Sequence, residues 1–219
     1  MKRTLACILL LSLILATASA AMAAAADPAG AWSVKTTTKS IAPSKQALKA
    51  LNQAKKAHDG FDMTALALLG SQCVNGTNYC FLCHGTTVTL KQKSGLCLVY
   101  VYAPRSGKAR ITGIVDVRLK KAPCGGWKLS RNRSETACLE KAKKALKAAT
   151  SELVGATYKP LALLGKAKTG NSDYCLLCCR TFSDHSSTKS LCLVCVGKSS
   201  KGKYKIKDVS DLDIVKLAP

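Results

Sequence analysis

Two Cys-x-x-Cys pairs, Cys80-Phe81-Leu82-Cys83 and Cys175-Leu176-Leu177-Cys178, carry the spacing of thiol redox centres and of zinc half-sites. His84 and His185 stand close to them in the chain, which adds a Cys/His nucleophile to the chemistries to weigh. A redox pair needs an activated thiolate, commonly at a helix N-terminus. Both pairs instead fall in apolar runs that read as strands. Residues three apart on a strand point to opposite faces, so the two sulfurs of a pair share neither a metal nor a bond. No histidine recurs at matching positions, and no motif places an Asn or Asp to orient one. Asp116 and Asp211 do match, but a lone carboxylate in a terminal strand reads as structural. The expectation is a protein that is not an enzyme, with no metal and no cofactor.

The cysteines make better sense across strands. If Cys178 faces Cys192, the same antiparallel register sets Cys175 against Cys195, and in the earlier part of the chain Cys83 against Cys97 and Cys80 against Tyr100. Directly opposed residues have Cα atoms ~4.5–5.5 Å apart, within disulfide reach. Disulfides Cys83–Cys97, Cys178–Cys192 and Cys175–Cys195 and a set of buried thiols are both open readings. Cys124 and Cys138 flank the start of the second half's helix and would clip it to the strand before.

The elements that position these residues come from a duplication. Shifting the chain by 95 residues lays Trp32 on Trp127, Leu68-Leu69-Gly70 on Leu163-Leu164-Gly165, and Leu96-Cys97-Leu98-Val99 on Leu191-Cys192-Leu193-Val194, with 27 identities in 88 ungapped pairs. Each copy reads as a short extended piece at Trp32, then a helix over about 44–58 with Ala47, Ala50, Leu51, Ala54 and Ala57 on one stripe. Strands follow at 65–70, 78–88, 96–103 and 109–119, with Asn75-Gly76 and Pro104–Gly107 as turns. The junction falls near 120–125. The expected class is α+β: two tandem domains, 28–120 and 124–219, each one helix on an antiparallel sheet of four to five strands.

Residues 1–23 read as a secretory signal peptide. Lys2 and Arg3 precede an apolar run of about twelve residues, which ends in small residues and is short of the ~20 that cross a bilayer. No later stretch reads as a transmembrane segment. The protein is therefore expected outside the cell, or in a periplasm or on the surface of a bacterium. Removing the leader leaves eleven of the 12 cysteines, an odd number, where disulfides are permitted.

The hairpin between the second and third strands reads Gln72-Cys73-Val74-Asn75-Gly76-Thr77-Asn78-Tyr79. This resembles the Gln-x-Val-x-Gly loop, followed by x-Asn-Tyr, of the cystatin superfamily, and the order of elements resembles that family over both repeats. The resemblance implies tandem cystatin-like domains and inhibition of papain-like cysteine proteases by a three-part wedge. Its matching positions are Gly30, the loop Gln72, Cys73, Val74, Asn75 and Gly76, and the turn Pro104, Arg105 and Gly107. Two departures stand out: Arg105 takes the place of the tryptophan that often follows the proline, and Cys73 replaces a small aliphatic residue. In the second copy the loop reads Lys166-Ala167-Lys168-Thr169-Gly170, cationic and without the Gln or Val.

Charge supplies the competing reading. The chain holds 34 Lys and Arg against 12 Asp and Glu, a formal net charge of +22. Its partner would then be an anionic extracellular polymer or surface, held by a non-inhibitory basic adhesion module. Lysine outnumbers arginine and aromatics are only 5% of the chain, so no stacking platform for nucleic acid is expected. Asn75-Gly76-Thr77 and Asn132-Arg133-Ser134 also fit the N-glycosylation pattern.

Overall fold

A computed structural model describes residues 30–87, 93–119, 123–137, 139–170, 172–183 and 188–219. Residues 1–23, expected to be a signal peptide, and Cys138 and His185 lie outside the described residues. The first repeat forms β1 (Trp32–Val34), α1 (Lys45–Lys55), β2 (Phe61–Val74), β3 (Gly76–Thr87), β4 (Ser94–Ala103) and β5 (Arg110–Val117). The second forms β6 (Trp127–Leu129), α2 (Arg133–Ala137), α3 (Glu140–Thr150), β7 (Ala156–Ala167), β8 (Tyr174–Phe182), β9 (Lys189–Lys198) and β10 (Tyr204–Asp211). Each set of strands is one antiparallel five-stranded sheet with neighbours in chain order.

The α+β class of two tandem cystatin-like, helix-on-sheet domains is overturned. The protein is mostly β: about 15% of the described residues are helical, in a few short helices, and two five-stranded sheets dominate. The sheets do not stand alone. Leu66, Leu69, Leu82 and Leu98 of the first share one buried cluster with Leu161, Leu164, Leu177 and Leu193 of the second. Both faces of each sheet are therefore covered. That explains the unbroken apolar runs: in β3, Tyr79 to Cys83 are all buried, as expected of strands covered on both sides rather than on one.

The two longer helices, α1 and α3, lie on the outer faces. Ser44 caps α1 by accepting the Ala47 N–H at 3.1 Å. Ala47, Ala50, Leu51 and Ala54 then pack against Met63, Phe81, Cys83 and Val99. Ala57, expected on the stripe, lies beyond the helix and is exposed. On the second sheet Ala142, Ala145 and Leu146 of α3 meet Leu176, Cys178 and Val194.

The two halves also trade segments. After β10 the chain crosses to the first sheet, where Ile214 fills the hollow over Gly70: a methyl built there would stand 2.5 Å from Ile214 Cδ1. The Tyr100 hydroxyl donates to the Ile214 carbonyl at 2.8 Å. After β5, Leu119 stands over Gly165 in the second sheet, 3.6 Å from where a methyl would be. The repeat matches Leu119 with Ile214 and Gly165 with Gly70, so the exchange is reciprocal.

Candidate functional site

The β2–β3 hairpin closes on a single residue. Val74 is opposite Gly76, Cys73 opposite Thr77, and Gln72 opposite Asn78. Gly76 has a φ of +121° and would bring a Cβ to 2.5 Å from the Ala103 carbonyl oxygen and 2.9 Å from Pro104 Cα. Only glycine permits both that backbone angle and that approach. The hairpin tip therefore sits directly beside the Pro104–Gly107 turn. The Tyr102 hydroxyl reinforces the join by donating to the Asn75 carbonyl.

Gln72 ties in the third stretch. Its Nε2 donates to the Gly30 carbonyl at 2.7 Å, while its Oε1 accepts from Asn78 Nδ2 at 2.7 Å. β1 leads from Gly30 with Trp32 opposite Gln72. Gly30, Gln72–Gly76 and Pro104–Gly107 thus come together at one end of the first sheet. Cys73, Asn75, Arg105 and Gly107 are exposed there, while Gln72 and Val74 are half-buried. Among these residues the Cys73 thiol is a free, solvent-facing group.

Two residues that the sequence reading did not assign to this end shape it. Tyr102 lies two positions before Pro104, with the Arg110 guanidinium 4.7 Å from its ring centroid. Tyr100, on the same face of β4, meets the Trp32 ring edge-on at 6.0 Å. With Gln72, Asn78 and Pro219 they line an open cleft of about 300 Å³ behind the tip. The signal was present as alternation: Tyr100 and Tyr102 are i and i+2 in a strand, hence on one face.

The matching end of the second sheet is built differently. Trp127 pairs with Ala167 as Trp32 pairs with Gln72, so register makes Ala167 the counterpart of Gln72. That is one residue later than the Lys166–Gly170 comparison places it. The Lys168 N–H donates to the Gly126 carbonyl at 3.0 Å and Thr169 Oγ1 to that of Cys124 at 2.7 Å. Lys166 and Lys168 are exposed.

The cysteine register is as expected from sequence: Cys83 faces Cys97, Cys80 faces Tyr100, Cys178 faces Cys192 and Cys175 faces Cys195. All ten described cysteines are nonetheless thiols, so the cross-strand disulfides are not formed in this structure. Cys195 Sγ lies 2.9 Å from Cys175 Sγ, and Cys97 and Cys192 Sγ lie 3.9 and 3.8 Å from the carbonyls of Cys83 and Cys178. Cys124 is exposed. Cys80 belongs to the inter-sheet cluster and Cys83 to the cluster under α1, so the Cys-x-x-Cys sulfurs do lie on opposite faces. Burial pushes the Cys80, Cys97 and Cys192 thiols up to about 12 and holds Cys83 and Cys178 well above the usual range. These sulfurs are poor nucleophiles. Burial, and then the Arg131 charge, lowers the pKa of His84.

Among the described residues no helix is long and apolar enough to cross a membrane, and no group of three or more His, Cys, Asp or Glu side chains is placed to hold a metal. Compared with known proteins, the chain matches no family model and no curated sequence.

Proposed function

We propose that this is an exported binding protein that inhibits papain-like cysteine proteases by inserting the end of its first sheet into the active-site cleft. One observation carries the reading: the three stretches that resemble the cystatin wedge, separated by up to 75 residues in the chain, are held side by side by the Gln72–Gly30 hydrogen bond and the Gly76–Pro104 contact. A tip fixed in this way loses little conformational freedom on docking. Its glycine-bearing hairpin is narrow enough for a slot-shaped cleft. Tyr102 and Arg110 behind the tip form a firm shoulder that limits how deep it enters. The second sheet, with Ala167 and two exposed lysines at the matching end, takes no part in inhibition. Export is supported by the leader-like pattern of residues 1–23.

The test is inhibition of papain by the full mature chain and by Val74→Asp, which alters the tip without touching Gly76 or the Gln72 hydrogen bonds. Tight inhibition is expected from the unaltered chain, insensitive to salt, with a loss of at least a hundredfold in Val74→Asp. Absence of inhibition at micromolar protein would overturn the proposal.

The second reading, a basic module that adheres to an anionic polymer, is favoured by a different observation, the excess of cations. It predicts binding that weakens steeply with salt, because exposed charges are screened over about 8–10 Å at physiological ionic strength.

A further inference from the structure

At the end of the first sheet opposite the hairpin tip, β3 and β4 face β6 of the second sheet across an open cleft of about 480 Å³. Lys128, Arg131 and Lys168 line it together with His84 and the hydroxyls of Thr86 and Ser94. Among the described residues no carboxylate lines it. Among the described residues none of the three cations enters an ion pair. Two acids stand behind the lining: Glu135, whose carboxylate accepts the Arg131 backbone N–H at 2.8 Å, and Asp62, which is paired with Lys55 at 3.0 Å. The indole N–H of Trp127, in the wall of the cleft, is buried without an acceptor.

The duplication supplies an internal comparison. The corresponding cleft on the other side of the molecule is lined by Val34 and Lys189, the counterparts of Leu129 and Ser94. There, Ser33, Thr36 and Cys73 stand at the positions of Lys128, Arg131 and Lys168. Its own cation, Arg180, is neutralised by Asp211 at 2.6 Å, and Asp213 adds a second carboxylate to the lining. Two clefts of common origin therefore differ in sign. One is balanced within its own lining, and the other is lined by three cations that form no ion pair among the described residues and whose fields add where the walls converge.

We infer that the cleft of Lys128, Arg131 and Lys168 is a binding site for a tetrahedral oxyanion, and that its natural carrier is a sulfated glycan. Arg131 supplies a planar fork of donors, the two lysines supply rotating ammonium groups, and the hydroxyls donate without adding charge. A sulfate or phosphate group accepts from all of them. Two of the three anchors are also fixed at their backbones, Lys168 through Gly126 and Arg131 through Glu135. A glycan suits the cleft better than a nucleic acid, because binding successive bases calls for a series of rings and, among the described residues, the lining offers only the Trp127 indole and the His84 imidazole. The site is separate from the hairpin tip and does not depend on the inhibitor reading.

The experiment is titration of the full mature chain with a heparin hexasaccharide, read by calorimetry at physiological salt. The variants are the triple Lys128→Ser, Arg131→Thr, Lys168→Ser and a control triple of equal charge loss on the exposed face of α1, Lys45→Ser, Lys49→Ser, Lys56→Ser. Circular dichroism confirms that each is folded. The cleft triple should bind at least tenfold more weakly, and the control less than threefold more weakly. Equal losses in the two triples would overturn the site, leaving diffuse charge alone. Inorganic sulfate should compete only at concentrations far above the hexasaccharide. If free sulfate binds as tightly, or if single-stranded DNA of equal charge binds more tightly, the assignment of the carrier is overturned.

Discussion

The hairpin tips of the two sheets descend from one sequence and now do opposite things. In the first, Gly76 is clamped between backbone atoms of the next turn, and Gln72 reaches across to Gly30. In the second, Ala167 stands in place of Gln72, and Gly170, with a φ of +80°, has nothing within 4 Å of where a Cβ would be. Cores kept the ancestral residues while ends diverged. Fifteen positions from Leu66 to Val101 are identical to their counterparts over the strands β2 to β4 and the link between them, yet none lies between Ser71 and Asn78. Interior packing tolerates few changes of shape, and a solvent-facing turn is free to acquire a new partner.

The largest effect should come where the halves are alike. Cys97 and Cys192 are counterparts, and with Cys80 all three thiols are raised by burial to about 12. A thiol whose folded pKa lies above its unfolded value contributes fully below the unfolded pKa, and the contribution is lost as pH rises through the folded one. From pH 9 to 12 each thiol should remove about 4 kcal/mol, at ~1.4 kcal/mol per unit. Together they come to about 8 kcal/mol by pH 11, comparable with the ordinary stability of a folded chain. Urea unfolding followed from pH 7 to 11 should therefore show stability flat to about pH 9 and collapsing above it. A curve that stays flat to pH 11 would mean the thiols are not buried as described.

The next effect separates the halves. Gly76→Val should destabilise by about 3 kcal/mol or more, from backbone overlap together with the left-handed angle. Gly170→Ala, strained by its angle alone, should cost about 1 kcal/mol. A smaller contrast tests the exchanged segments. Gly70→Ala pushes against Ile214 at 2.5 Å and should cost about 1–3 kcal/mol. Gly165→Ala meets Leu129 and Leu119 at 3.4 and 3.6 Å and should stay within about 1 kcal/mol. Equal costs at the two glycines would show that Ile214 is not wedged over the first sheet. The smallest effect is that of Asp62→Asn. Lys55 lowers the Asp62 pKa by hydrogen bond and charge, but the pair is exposed and has no counterpart in the second half, where Thr150 and Thr157 stand. Thermal denaturation should show a change within about 0.5 kcal/mol.

Much of each sheet was legible because it is locally encoded. Alternation and the fixed step of two residues gave the cysteine register to the residue, and the spacing of Ala47, Ala50, Leu51 and Ala54 gave the buried face of α1. The stretches at Gly30, Gln72–Gly76 and Pro104–Gly107 stood out in the sequence, though not their attachment: nothing in the chain near Gln72 announces that its amide will find Gly30, 42 residues away. The architecture was misread because sheet-on-sheet packing has no periodic signature of its own. Its trace was the unbroken apolar run from Tyr79 to Cys83, which a one-sided sheet does not need. Strand lengths were underestimated for a related reason. Phe61, Met63 and Thr64 extend β2 backward past the apolar run, on the strength of pairing with β3 rather than of their own composition.

The crossing of the chain's last residues to the first sheet has a consequence for how the molecule is made. Synthesis proceeds from the N-terminus, and domains fold as they emerge. The first sheet is complete by Val117, but the groove over Gly70 and the hydroxyl of Tyr100 wait for Ile214, which follows nearly a hundred residues later. Until then an apolar groove and an unmet donor stand open on a half-made chain, and the second sheet is built while its partner is unfinished. Closure over such a long separation is slow relative to forming hairpins. A ribosome-bound chain arrested before Ile214 should thus be the species most prone to sticking to its neighbours, and the arrival of Ile214 the event that seals it.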